Sequence, residues 1–201
     1  VAPPADLRFD LDAVRASITA ATRLVLLANP NNPTGAAVPQ GDIQALAEAL
    51  PPGGAVFVDE AYADFEGHSV IGDAARTPNL YVGRTFAKAY GLAGMRIGCV
   101  VAQPAGIRRL RGAIAPFSVN VFAAVALEAA LADRGHVEWY VSQVRASREM
   151  LYDACTRLGL SFWRSAANFV LVRVGNAPEV RAALAARGIH VRDRSSAPGC
   201  E

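Results

Sequence analysis

The stretch LYVGRTFAKAYGLAGMRIGCVVA, residues 80–102, contains two short apolar runs on either side of a polar, glycine-containing loop. The runs, 80–82 and 97–102, are too short for helices and are bounded by turn residues, which is typical of buried strands. The loop between them carries Lys88. This stretch therefore predicts two strands and a loop that presents an amine.

Two further apolar runs, 23–28 and 55–58, precede this stretch and extend the pattern. A segment with helical spacing, 42–50, separates them and stops at a Pro-Pro-Gly-Gly turn. Helical segments also follow at 104–111 and at 119–131, and the second is apolar enough to predict a buried helix. Apolar strands that alternate with helices predict an α/β layer with a mostly parallel sheet.

Polar residues follow three of the predicted strands, at the point where each strand ends. Asn32 lies just beyond the first of these strands, Asp59 directly after the second and Lys88 after the third. In open α/β sheets, ligands bind outside the carboxyl ends of the strands. The three loops therefore predict a pocket at one edge of the sheet.

The last third of the chain has a different pattern. A long amphipathic helix is predicted at 136–158, followed by a strand at 169–174, a helix at 178–187 and a short strand at 189–192. This alternation is typical of a small α+β domain. We place the boundary near residue 135, which gives one domain at 1–135 and a second at 136–201.

Composition and charge argue against several classes of function. The net charge is +2, from 20 basic and 18 acidic residues, so no nucleic-acid partner is expected. No run of about 18 uncharged apolar residues is present, so no membrane span is expected. The three cysteines are far apart and odd in number, which favours a reducing, cytoplasmic setting. The three histidines lack the spacing of metal ligands, so no metal site is expected.

Four segments carry the chemistry: NPNNPTG at 29–35, DEAY at 59–62, RTFAKAYGLAG at 84–94 and MRIG at 95–98. Each alone has an ordinary explanation, such as a turn, a helix cap or a solvated lysine. In this order and at these spacings, the four segments together resemble the fold-type I aminotransferases, which depend on pyridoxal 5′-phosphate (PLP).

Longer matches narrow the resemblance. The segments DEAYADF at 59–65, the whole of 84–98, PFSVN at 116–120, ANFVLVR at 167–173 and GIHVRD at 188–193 are similar to the histidinol-phosphate aminotransferase family. The resemblance covers essentially all 201 residues. It implies part of the large domain of the aspartate aminotransferase-like fold, together with most of its small α+β domain.

The resemblance implies a PLP site, and the chemistry of PLP explains the residue types. Lys88 would form the Schiff base with the cofactor and move a proton during catalysis. Asp59, at a strand end in a desolvated pocket, would keep the pyridine nitrogen protonated. Asn32 and Tyr62 would donate hydrogen bonds to the phenolic oxygen of the ring. We expect Lys88, Asp59 and Tyr62 to be the catalytic residues.

The same resemblance indicates which residues bind the phosphate of the cofactor and which binds the phosphate of the substrate. Thr85 and Arg96 would bind the phosphate of the cofactor. Ala87 departs from the family, which often has a serine there. One hydrogen bond to a charged group is then lost, roughly 1.5–3 kcal/mol at most, so cofactor retention should be weaker. Arg192 matches the position that binds the phosphate of the substrate, with an ordinary surface arginine as the alternative.

The implied activity is transfer of an amino group between L-histidinol phosphate and 2-oxoglutarate in histidine biosynthesis, through a ping-pong cycle. Two alternatives keep the cofactor but change the substrate: an aromatic amino-acid aminotransferase, or a phosphothreonine-type decarboxylase. A third is an inactive, truncated relative.

The family chain begins well before Val1 and extends beyond Glu201. We therefore expect a fragment that is inactive by itself and that forms a homodimer when full length.

Overall fold

The computed structural model describes residues 6–200. Its elements, in chain order, are α1 (Leu11–Ala16), β1 (Leu24–Ala28), α2 (Gln40–Ala49), β2 (Ala55–Asp59), α3 (Ala63–Glu66), α4 (Ile71–Ala74), β3 (Leu80–Thr85), a 3₁₀ turn (Ala93–Met95), β4 (Gly98–Val101), α5 (Pro104–Arg111), α6 (Val121–Ala132), α7 (Arg134–Arg157), β5 (Ser161–Trp163), β6 (Leu171–Arg173) and α8 (Ala177–Ala185).

The four strands of the main sheet lie in the order β1-β2-β3-β4. The first three are parallel to one another, and β4 runs antiparallel to β3. This arrangement confirms the predicted α/β layer with a mostly parallel sheet. The parallel order matters for function because it brings the carboxyl ends of β1, β2 and β3 to one edge.

The core lies on one face of this sheet. Val56, Val58, Leu80 and Val82 are fully buried, and the apolar side of α2 packs against them. The other face is more open, above all on β1, where Leu26 is 72% exposed. Alternate side chains of a strand point to opposite faces, so the two faces of each strand have different surroundings.

The last third of the chain forms the long helix α7 and the antiparallel pair β5–β6. Phe65 and Ala89 pack against Val141 of α7, and Arg145 of α7 donates its Nε–H to the carbonyl oxygen of Phe65 at 3.1 Å. These contacts hold α7 against the segment that follows β2. The division of the chain into residues 1–135 and 136–201 stays a prediction.

The prediction of a buried helix at 119–131 is wrong. In α6, Val121 is 68% exposed, Phe122 76% and Val125 66%, and Ala123 alone of the helix is buried. Apart from Glu128, this helix is apolar on all sides, whereas the described residues cover only one side of it. Its sequence therefore predicted burial that the described chain does not provide.

The strand predicted at 189–192 does not form either. The amide of Ile189 donates to the carbonyl oxygen of Leu184 at 3.0 Å and closes the turn after α8, where Gly188 has φ +76. That amide is therefore unavailable to a strand ladder, and Val191 is 45% exposed.

Among residues 6–200, no helix is long and apolar enough to cross a membrane.

Candidate active site

The carboxyl ends of β1, β2 and β3 position the candidate site. Ala28 pairs with Asp59, and Asp59 pairs with Gly83, so β1 and β2 end side by side while β3 runs two residues further, to Thr85. The ladder continues one step beyond the strands, since the amide of Asn29 donates to the carbonyl oxygen of Asp59 at 2.9 Å. The loops after these strands therefore start from fixed positions.

Asn32 and Tyr62 lie together at this edge. The side-chain amide of Asn32 donates to the hydroxyl of Tyr62 at 3.1 Å, which links the loop after β1 to the start of α3. The Tyr62 ring meets Phe169 edge-to-face at 5.1 Å between ring centres, and Lys88 Nζ lies 5.4 Å from the centre of the same ring. The structure thus brings Asn32, Tyr62 and Lys88, three of the predicted site residues, into one group.

Close packing fixes the loop that carries Asn32. Asn29 Oδ1 accepts the amide of Val38 at 2.8 Å, and the amide of Gly35 donates to the carbonyl oxygen of Asn31 at 2.8 Å. Gly35 has φ +72, and a Cβ there would lie 2.2 Å from Ser165 Oγ. A side chain at position 35 would therefore collide with Ser165, so glycine is required.

Asp59 is at the edge as predicted, but its surroundings differ from the prediction. Its Oδ1 accepts the amide of Ala61 at 3.0 Å, which fixes the carboxylate at the end of β2. The residue is exposed, so the expected desolvated pocket is absent from the described chain. The physical reason is that Asp59 points to the open face of the sheet, the same face as Leu26.

The two residues predicted for the cofactor phosphate are held separately. Thr85 ends β3, and its Oγ1 accepts the amide of Ala87 at 3.2 Å. Arg96 follows the 3₁₀ turn with φ +53, and its guanidinium donates to the carbonyl oxygen of Ala93 at 3.0 Å. Arg96 is exposed and is bonded to its own turn. The structure therefore does not join Arg96 to Thr85 by a direct contact.

Arg192, the predicted substrate residue, lies exposed in a segment without regular secondary structure. Its neighbour Arg194 reaches the site instead, because its guanidinium donates to Asn32 Oδ1 at 2.8 Å. Asp193, between them, accepts hydrogen bonds from the amide and the hydroxyl of Ser195. These bonds, the amide first, lower the pKa of Asp193. Sequence reasoning missed Arg194, and the only signal was its place two residues beyond Arg192.

A buried ionic network lies behind this edge and was also missed. Arg84 Nη1 donates to Glu60 Oε2 at 3.0 Å, and its Nη2 donates to Asp64 Oδ1. Glu60 is fully buried, and the hydroxyl of Ser69 and the amide of Val70 also donate to its carboxylate, at 2.6 and 2.7 Å. The signal in the sequence was the pair Asp59-Glu60, whose alternating directions place the second carboxylate inside the protein.

A groove of about 550 Å³ runs beside β1, and its lining includes Leu24, Leu26, Asn32 and Pro198. It is mainly apolar, and Lys88 is not part of its lining. Asn32 therefore borders the groove, whereas Tyr62 and Lys88 are not part of its lining. Within residues 6–200, no three His, Cys, Asp or Glu side chains come together as metal ligands.

Known proteins resemble this chain over nearly its whole length. A family model described as aminotransferase class I and II matches residues 1–200. Histidinol-phosphate aminotransferase 1 of Cupriavidus pinatubonensis is 44% identical over 195 residues, which cover 93% of this chain and 52% of that protein. Aromatic amino acid aminotransferase of Rhodococcus jostii is 41% identical over 173 residues, 85% of this chain and 48% of that protein.

Solved structures give the same result. The crystal structure of histidinol-phosphate aminotransferase from Sinorhizobium meliloti, in complex with pyridoxal 5′-phosphate, matches with a TM-score of 0.84 at 32% identity. The match covers 96% of this chain and 55% of that chain. The chain thus spans about half the length of the curated relatives it matches.

Proposed function

Because the chain belongs to the class I and II aminotransferases, we propose that it supplies the lysine-bearing part of a PLP-dependent aminotransferase site. The observation that carries this proposal is the grouping of Lys88 Nζ with the Tyr62 ring and the Asn32–Tyr62 hydrogen bond. An amine beside a pair of fixed polar groups at the carboxyl edge of a parallel sheet is suited to hold an aldehyde cofactor.

The side chains fit PLP by their chemistry. Lys88 offers an amine for the aldehyde, Asp59 a carboxylate for the pyridine nitrogen, and Tyr62 a hydroxyl for the phenolic oxygen. Thr85 and Arg96 offer a hydroxyl and a cation for a phosphate. Lys88 is also the only lysine among the 201 residues. Any covalent link between this chain and the cofactor through a lysine must therefore be at position 88.

When bound, PLP supplies an aldehyde that captures amino groups and a ring that withdraws electrons from the neighbouring carbon. In our proposal, Lys88 Nζ first holds the cofactor and then accepts and returns the proton of the substrate Cα. Asp59 favours the protonated pyridine nitrogen through its negative charge. Asn32 and Tyr62 orient the ring through its oxygen, and their mutual hydrogen bond keeps both donors in place.

For the substrate, we propose L-histidinol phosphate as amino donor and 2-oxoglutarate as acceptor. The support is the set of relatives named histidinol-phosphate aminotransferase, and we propose Arg192, an exposed cation beyond α8, as the group that binds the substrate phosphate. An aromatic amino-acid aminotransferase is the second candidate, because one relative at 41% identity has that name.

The test is turnover by the full-length protein. With 2-oxoglutarate as acceptor, we expect histidinol phosphate to be a better donor than phenylalanine, as judged by kcat/KM. The reverse order would favour the aromatic aminotransferase, and release of CO₂ would favour a phosphothreonine-type decarboxylase. The Lys88→Ala variant should lose both turnover and the visible absorbance of the bound cofactor. Unchanged absorbance in that variant would contradict the proposed site.

We further infer that the full-length protein is a cytoplasmic homodimer. The exposed apolar side chains of α6, such as Phe122 at 76% and Val125 at 66%, are suited to a protein–protein contact. The cysteines Cys99, Cys155 and Cys200 are all free, which agrees with a reducing compartment. Size-exclusion chromatography with light scattering tests the dimer directly.

A further inference from the structure

The members of the buried network of Arg84, Glu60 and Asp64 lie one or two residues along the chain from three residues of the proposed cofactor site. We propose that Arg84 is a positioning residue, which holds the ends of β2 and β3 and the start of α3 in register so that the cofactor-facing side chains keep their places. This inference rests on the proposed function, because it assigns a role toward the same site.

Each member of the network is joined to a different site residue by the backbone. Glu60 directly follows Asp59, Arg84 directly precedes Thr85, and Asp64 lies two residues beyond Tyr62. The guanidinium of Arg84 donates to both carboxylates, so a single side chain spans these three places. A shift of Arg84 would therefore be transmitted to three of the proposed cofactor contacts at once.

The network lies on the opposite face of the sheet from those contacts. Asp59 pairs with Gly83, and the amide of Glu60 donates to the carbonyl oxygen of Gly83 at 2.9 Å, so Glu60 and Arg84 come one step later on their strands. Successive side chains point to opposite faces. Burial agrees with this, since Asp59 is exposed while Glu60 is fully buried. Arg84 therefore acts on the site through the backbone and not by contact with the cofactor.

The chemistry of the network suits such a role. The Arg84 side chain is only 14% exposed and the Asp64 side chain 15%, so the ion pairs are largely shielded from solvent. The carboxylate of Glu60 accepts hydrogen bonds from Arg84, Ser69 and the amide of Val70, and these three bonds fix its position. An arginine presents several donors in a rigid plane and can bind two carboxylates at once, whereas a lysine cannot reproduce that geometry.

The experiment compares Arg84→Lys and Asp64→Asn with the full-length wild-type protein. Both variants keep the approximate size of the side chain, and Asp64→Asn leaves the Arg84–Glu60 pair intact, which guards against a failure to fold. We expect the dissociation constant of PLP, titrated into the cofactor-free protein, to rise about tenfold in Arg84→Lys. We expect kcat to fall by about the same factor, with the KM of the amino donor unchanged.

A further readout separates positioning from simple stability. The pH midpoint of the visible absorbance of bound PLP depends on the groups around the cofactor, so it should shift by about half a unit or more in Arg84→Lys. The matched control is Arg76→Gln, which removes an ion pair between an exposed arginine and the buried Asp73, before β3 begins. This control should lower thermal stability without a change in the PLP constant or the pH midpoint.

The outcomes are distinct. If Arg84→Lys and Asp64→Asn lose stability but keep the wild-type PLP constant, pH midpoint and kcat, as the control does, the positioning role is overturned. If the wild-type protein binds no PLP at all, the proposed function itself fails, and this result is separate because it needs no variant. The inference is supported if the variants fold, the dissociation constant of PLP rises and the pH midpoint of the absorbance of bound PLP shifts.

Discussion

The side-chain amide of Asn32 donates a hydrogen bond to the hydroxyl of Tyr62 at 3.1 Å, across 30 positions of the sequence. This bond ties the loop after β1 to the first residue before α3. Arg194 binds the other end of the same amide at 2.8 Å, so Asn32 is held from two sides. The orientation of the amide is thereby fixed, with its nitrogen toward Tyr62.

We predict that Tyr62→Phe weakens PLP binding by the full-length protein about tenfold, because a hydrogen bond to a charged oxygen of the cofactor is lost. The measurement is a titration of the cofactor-free protein followed by absorbance. The control is Tyr90→Phe, whose ring packs edge-to-face on Phe86 at 5.3 Å. Equal PLP constants for Tyr62→Phe and the wild type would contradict the role of this hydroxyl.

Ala87→Ser should strengthen PLP binding. The substitution restores the hydroxyl that the family often has beside the lysine, and a hydrogen bond to a phosphate contributes roughly 1.5–3 kcal/mol. Position 87 is partly buried and its amide already donates to Thr85 Oγ1, so a small side chain is accommodated beside the proposed phosphate group. If the dissociation constant of PLP stays the same or rises, the cofactor phosphate lies elsewhere.

Arg192→Gln and Arg194→Gln should have separable effects. If Arg192 binds the substrate phosphate, its loss raises the KM for histidinol phosphate about tenfold and leaves the KM for glutamate unchanged. Arg194→Gln releases Asn32 Oδ1 and should instead weaken PLP binding. Arg187→Gln, an exposed site just after α8, is the control for the loss of one positive charge. A KM for histidinol phosphate that is unaffected by Arg192→Gln would remove Arg192 from the site.

Gly35→Ala should destabilise the protein more than Gly53→Ala. Both positions have positive φ, +72 and +84, so each alanine carries a backbone cost of about 1–2 kcal/mol. At position 35 the new Cβ also meets Ser165, which adds roughly 1–3 kcal/mol, whereas nothing lies within 4 Å of a Cβ at position 53. Chemical denaturation of the two variants measures the difference. Equal free energies of unfolding would mean that the approach of Ser165 to this loop carries no cost.

The strands of the sheet could be predicted because each of them has a recognisable pattern within a short stretch of sequence. Each of the runs 23–28, 55–58, 80–82 and 97–102 is short, apolar and bounded by turn residues, and each contains or overlaps a strand. The direction of β4 could not be predicted in this way. Its antiparallel pairing with β3 depends on how the loop that carries Lys88 returns to the sheet.

The candidate site could be predicted in part. Asn32, Tyr62 and Lys88 were identified from motifs and lie together in the structure. The partners of Arg84 could not be identified, because Glu60 and Asp64 are 24 and 20 positions away and meet Arg84 only through the register of β2 on β3. Long-range register is not encoded in any short window of sequence.

The exposure of Asp59 and of α6 shows a different limit. Hydrophobic pattern indicates which surfaces require cover, but not which segment provides it. Leu26 and Phe122 remain 72% and 76% exposed although both belong to strongly apolar segments. A prediction of burial from composition is therefore a prediction about the environment of a segment, which the described residues alone do not determine.

The most direct test of the central claim is to trap the cofactor on its residue. The full-length protein is loaded with PLP, reduced with borohydride and digested, and the peptides are weighed by mass spectrometry. We predict that the reduced cofactor is attached to Lys88, the single lysine of these 201 residues. The account would be contradicted if the cofactor were released unbound, or if it were attached to a lysine of the full-length protein outside these 201 residues.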